Sequence, residues 1–104
     1  MLLANLVLVK YKELEDLRNE IKDLTEKIVE LAGKRIVIAK RIGVLKKSKS
    51  LTLRDPKIEN ELKKTVIETC RKNSINIDFG LRLLKLLINE SIREERFTLE
   101  KDES

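Results

Sequence analysis

The sequence has no histidine, no tryptophan and no glutamine. It has one cysteine, one proline and three glycines among its 104 residues. Without histidine, neither an imidazole general base nor a His-ligated metal site can be built. The single Cys70 excludes an intrachain disulfide framework and a cysteine-rich zinc site. Aromatic residues make up only 3%, too few for the stacking platforms that single-stranded nucleic acid requires. Long apolar runs are missing too. Met1 to Val9 is apolar apart from Asn5, well short of the roughly 20 residues that cross a bilayer. That run has no preceding basic stretch and no small-residue cleavage site, so a soluble cytoplasmic protein without a signal peptide is expected.

What is present is aliphatic and charged. Hydrophobic residues account for 41% and charged residues for 39%. With so few helix breakers, this composition predicts an all-α fold. The length fits a single domain over 1–104, with residues 1–8 and 99–104 peripheral. Lys plus Arg is 23 against 18 Asp plus Glu, a net charge of +5. That balance favours anionic partners, from nucleic acid to a small dianion.

Three helices are predicted: long, short and medium. From Lys10 to Lys47 no proline intervenes, and apolar residues recur at Leu14, Leu17, Ile21, Leu24, Ile28 and Leu31. After a gap of seven come Ile38, Ile42 and Leu45. Alternating steps of three and four mark a heptad seam. At ~1.5 Å per residue such a helix is roughly 57 Å long, whereas a compact domain of this size has a radius of gyration near ~13 Å. The seam therefore needs a second chain, and an intertwined helical homodimer is expected. Lys46 to Arg54 reads as a basic loop, and Asp55-Pro56 as the cap and first residue of a second helix ending near Lys72. That helix carries Ile58, Leu62, Val66 and Cys70 on one face. A third helix is predicted from Ile77 to about Phe97, followed by a frayed polar tail from Glu100.

Several polar residues do not suit a plain bundle. Arg35 occupies the seam between Leu31 and Ile38. An arginine there can snorkel or fix register, but if buried it needs an anion. Lys46 follows by 11 residues, a spacing that returns to within about 20° of the same helix face, so both cations can look into one cavity. Arg18 lies about 25 Å before Arg35 along the helix. It can reach such a cavity only from the second chain of an antiparallel pair. Ser91 and Glu95 are spaced i, i+4 and continue the apolar stripe Leu84, Ile88; Asp55 and Glu59 share the same spacing.

Taken in order, these pieces resemble the all-helical chorismate mutase family. The resemblance is carried by Leu17-Arg18-Asn19-Glu20-Ile21, by Arg35 with Ala39 and Gly43, and by Lys46. It continues through Asp55-Pro56 with Glu59, then Leu87-Ile88-Asn89-Glu90-Ser91 with Glu95. It spans Leu14 to Glu95. It implies an intertwined dimer with two shared pockets that rearranges chorismate to prephenate, without cofactor or metal, in phenylalanine and tyrosine biosynthesis. It also implies that Arg18 crosses the dimer to one substrate carboxylate and that Arg35 holds the other. Lys46 then touches a carboxylate and the ether oxygen. Asp55 and Glu59 lie near the substrate hydroxyl, Ser91 contacts a carboxylate, and Glu95 donates to the ether oxygen. The chain departs from the family at Ile58, where an arginine is usual, so that either Arg54 or a loop lysine supplies the missing cation or the site works with one cation fewer. Thr25 stands where an acidic or amide residue is common. Two other readings are an isochorismate-pyruvate lyase on the same fold and a basic helical interaction or nucleic-acid-binding module. The acidic residues interspersed through every helix oppose the second of these, so neither nucleic acid nor membrane is expected as a partner.

Overall fold

The computed structural model describes residues 2–52 and 54–103, with side chains at 3–52 and 54–97. It contains three helices: α1 (Leu2–Ser48), α2 (Pro56–Lys72) and α3 (Ile77–Glu103). The all-α expectation and the long-short-medium order both hold.

The helix ends differ from the sequence reading in three places. α1 starts at Leu2 rather than near Lys10, because the run of Leu, Ala and Val before it contains no breaker. The apolar period marks a face and not the extent of backbone hydrogen bonding. Lys46 and Lys47 form the last turn of α1 rather than opening the loop, a place where the helix dipole favours cations. α3 continues through Glu103 rather than stopping at Phe97 and fraying from Glu100. Its final stretch contains neither Gly nor Pro, and Ser104 lies outside the described residues.

The two connections are closed by the same device. Ser50 and Ser74 adopt left-handed backbone, with φ of 55° and 54°. Beyond them Leu51 N–H donates to Lys46 C=O at 2.8 Å, and Ile75 N–H donates to Cys70 C=O at 2.9 Å. These are Schellman closures, which satisfy helix-end carbonyls otherwise left without partners. Asn76 then starts α3 at once, its side-chain oxygen accepting from Phe79 N–H at 2.9 Å.

The chain divides into two compact units, residues 1–33 and 34–104. The first is a single length of helix with no core of its own. Its seam residues Leu14, Leu17, Ile21, Leu24, Ile28 and Leu31 are all exposed, between 44% and 66%. The second unit holds the end of α1 with α2 and α3, and α2 packs along α3. Ala39, Cys70 and Leu84 are its buried apolar residues. Two glycines permit its closest approaches. A Cβ at Gly80 would overlap the Cys70 sulfur and touch Val66, and one at Gly43 would crowd Glu95 at 3.1 Å. Gly43 thus allows α1 to lie directly against the Glu95 turn of α3. Among the described residues no helix is long and apolar enough to cross a membrane.

Replacing Gly80 with Ala should therefore force α2 and α3 apart rather than stabilise α3. The expected loss is about 1–3 kcal/mol, the usual cost of overpacking, although alanine is the better helix former. Denaturant unfolding at fixed protein concentration measures it. An unchanged or raised midpoint would show that the α2–α3 contact is looser than described.

Candidate active site

Each helix of the second unit contributes polar groups to one cavity, and local chemistry fixes where they stand. At the start of α2, Asp55 caps the helix, its side chain accepting from Ile58 N–H at 3.3 Å, with Pro56 as the first helical residue. Glu59 follows one turn later, where the helix dipole favours a carboxylate. On α3, Ser91 and Glu95 lie one turn apart and are both buried. On α1, Arg35 and Lys46 are partly buried, as their 11-residue spacing predicts.

The cavity has a volume of about 500 Å³, and Arg35, Lys46, Asp55, Glu59, Ser91 and Glu95 all line it. Six of the seven residues singled out in the sequence thus meet in one place. Arg18 is not among them. It belongs to the first unit, where its exposed guanidinium pairs with Glu15 at 3.0 Å.

The remaining lining is apolar and includes Ile38, Ile42, Ile88 and Ile92. In the sequence Ile38 and Ile42 belong to the seam, and Ile88 to the apolar stripe of the third helix. Their cavity role was readable only from sharing helix faces with Arg35, Lys46, Ser91 and Glu95. Ile58 also lines the cavity and remains 46% exposed, so it is a wall residue and not a packed one.

Arg35 is held by α3. Its Nη1 donates to the Leu87 carbonyl at 3.0 Å and to Ser91 Oγ in a shorter bond. Ser91 Oγ in turn donates to the same carbonyl at 2.9 Å. The serine thereby locks the guanidinium while leaving its other donors for a ligand. Lys46 Nζ stands 3.8 Å from Glu95 Oε2, and that buried oxygen accepts no hydrogen bond. Burial pushes the Glu95 carboxyl above the usual range, with the Lys46 ammonium and then the Arg35 guanidinium pulling it back. Such a carboxyl keeps its proton to higher pH than an exposed one, and only the protonated form can donate. Among the described residues no group of His, Cys, Asp and Glu is placed to hold a metal ion. Two cations on apolar walls, beside a buried acid, can hold a small dianion and donate to developing negative charge.

Residues 17–96 match the chorismate mutase type II family. The chain belongs to that family. It is 20% identical over 93 residues to a chorismate mutase of Methanocaldococcus jannaschii, covering 89% of this chain and 94% of that protein. It is 29% identical over 89 residues to a bifunctional chorismate mutase/prephenate dehydratase of Buchnera aphidicola subsp. Schizaphis graminum. That alignment covers 86% of this chain but 23% of the longer protein. No solved structure matches the chain at the same level of significance. The cavity lies wholly within the part of the chain that matches the chorismate mutase type II family.

The raised Glu95 value fixes the sign of a stability effect. Folding favours the protonated carboxyl, so its contribution is complete below the ordinary value of 4.5 and is lost as pH rises through the raised value. Glu95→Gln is neutral at every pH and escapes that loss. Its Tm relative to the parent should climb as pH is raised from the acid range to neutrality. A difference that stays constant, or falls, would contradict the assignment.

Proposed function

We propose that this chain rearranges chorismate to prephenate, and that the cavity of the second unit is where it does so. The observation that carries the reading is the buried Glu95 carboxyl facing Lys46 at 3.8 Å, in a cavity that also contains Arg35. The reaction is a unimolecular pericyclic rearrangement and needs no nucleophile. The substrate is a flexible dianion, and the first task is to hold it folded with the reacting carbons in contact. Arg35 takes one carboxylate, with Ser91 fixing the guanidinium and facing the same group. As the ether C–O bond breaks, negative charge grows on its oxygen. Lys46 and protonated Glu95 donate to that oxygen from fixed positions. Asp55 and Glu59 accept from the substrate hydroxyl. The second carboxylate is assigned to Arg18 of a second copy, because ~25 Å of helix separates Arg18 from Arg35 within one chain. The same copy would cover the exposed seam, making the protein a cytoplasmic homodimer with shared sites. We treat residues 1–104 as one such domain.

The test is turnover by the purified chain. Chorismate should disappear with equimolar appearance of prephenate. Lys46→Ala should lower kcat at least about 100-fold, the usual loss on removing a preorganised donor. Absence of turnover would remove the reading. Pyruvate release from isochorismate, without prephenate from chorismate, would replace it with the lyase activity.

The shared site has its own test. Arg18→Ala and Arg35→Ala chains, each nearly inactive alone, should regain activity when mixed and allowed to exchange, since one pocket of the mixed dimer has both arginines. If exchange is confirmed and activity stays at the parental level, each pocket is built from one chain.

A further inference from the structure

The Glu59 carboxylate borders two cavities. It lines the substrate cavity with Asp55. It also lines a second cavity of about 490 Å³ between α2 and α3, together with Arg54, Lys63, Lys85 and Asn89. Arg54 belongs to this second cavity. Its Nη1 reaches Glu59 Oε1 at 2.9 Å and its Nη2 reaches Asn89 Oδ1 at 3.3 Å. One guanidinium thus ties the first turn of α2 to α3 behind the wall of the substrate cavity. The Glu59 side chain is 24% exposed and that of Arg54 58%, so the pair joins an outer cation to a largely covered carboxylate.

The sequence carries no cation at position 58, and Ile58 presents only hydrocarbon to the substrate cavity. The cations that line that cavity, Arg35 and Lys46, both stand on α1, and Lys57, on the same turn as Glu59, does not line it. Arg54 supplies positive charge from the opposite side and fixes the side-chain torsions of Glu59 through a two-point bridge. A guanidinium suits this work better than an ammonium, because its planar fork can hold a carboxylate and an amide at once.

We propose that Arg54 is a positioning residue of the reaction. It acts through Glu59, orienting and charge-balancing that carboxylate without touching substrate. The proposal rests on the chorismate reading above and on Glu59 accepting from the substrate hydroxyl. Since Glu59 is assigned to substrate recognition and not to the breaking bond, loss of Arg54 should act on KM more than on kcat.

The experiment is a double-mutant cycle read by steady-state turnover of chorismate, with Tm recorded for each protein. Arg54→Ala should raise KM by about three- to tenfold, the scale of coupling between side chains in direct contact, with kcat changed less than about twofold. In a Glu59→Gln background the same Arg54→Ala change should leave KM nearly unmoved. Arg54→Lys, which keeps the charge but loses the second arm to Asn89, should recover part of the KM loss. An equal KM rise in both backgrounds would overturn the proposal, since Arg54 would then act other than through Glu59. So would no KM change in the parent background, or a loss that follows Tm in all variants and is not relieved by lysine. If the parent turns over chorismate and the cycle shows no coupling, this inference fails alone. A parent without turnover removes the functional reading and this inference with it.

Discussion

A carboxyl group is costly to take out of water, and the cost is reduced when it is protonated or set against a cation. Glu95 does both in part. It is 5% exposed, lies 3.8 Å from Lys46 and is shifted toward the protonated form. The surroundings are arranged to bring it in. Gly43 removes the side chain that would keep α1 off the Glu95 turn. Ser91, one turn earlier on α3, anchors Arg35 to the same helix face. Without the close approach at Gly43, Lys46 and Arg35 would face solvent, and the cavity would lose the field that makes it attractive to a dianion.

The two cations also explain why the site needs so little else. A pericyclic rearrangement asks the protein for shape and charge, not for bond formation to a side chain. The isoleucines at 38, 42, 88 and 92 supply an apolar wall, which strengthens electrostatic interactions by excluding water. The helix starts supply the rest: the same Asp55 that caps α2 also reaches the cavity. One side chain therefore serves local structure and site geometry together, and a change at Asp55 is expected to disturb both.

Much of this was legible from spacing. Arg35 and Lys46 were placed on one face by their 11-residue separation, and Ser91 with Glu95, and Asp55 with Glu59, by one helical turn. All six line the cavity. The cap at Asp55-Pro56 was legible because its chemistry is local. The helix ends were less so. A heptad pattern says which face is apolar, not where hydrogen bonding stops, so α1 and α3 both run beyond their predicted limits. The Schellman closures at Ser50 and Ser74 carry serine where glycine is the usual signal. The direction of Arg54 was not readable at all. Asn89 lies 35 residues further on, and no periodicity links a loop arginine to that amide. Arg18 is the opposite case. Helical spacing alone keeps it from Arg35, and among the described residues its guanidinium pairs with Glu15.

The protonation of Glu95 is the point on which the account of the site turns, and it can be observed without turnover. Side-chain carboxyl signals of glutamate-labelled protein, followed by carbon NMR across pH and assigned by their loss in Glu95→Gln, report it directly. The account predicts that Glu95 titrates above 4.5. It also predicts a further rise in Lys46→Met, where the largest opposing influence is gone. Titration at or below 4.5, or a value that does not rise when Lys46 is replaced, would contradict a buried acid held in tension with that lysine.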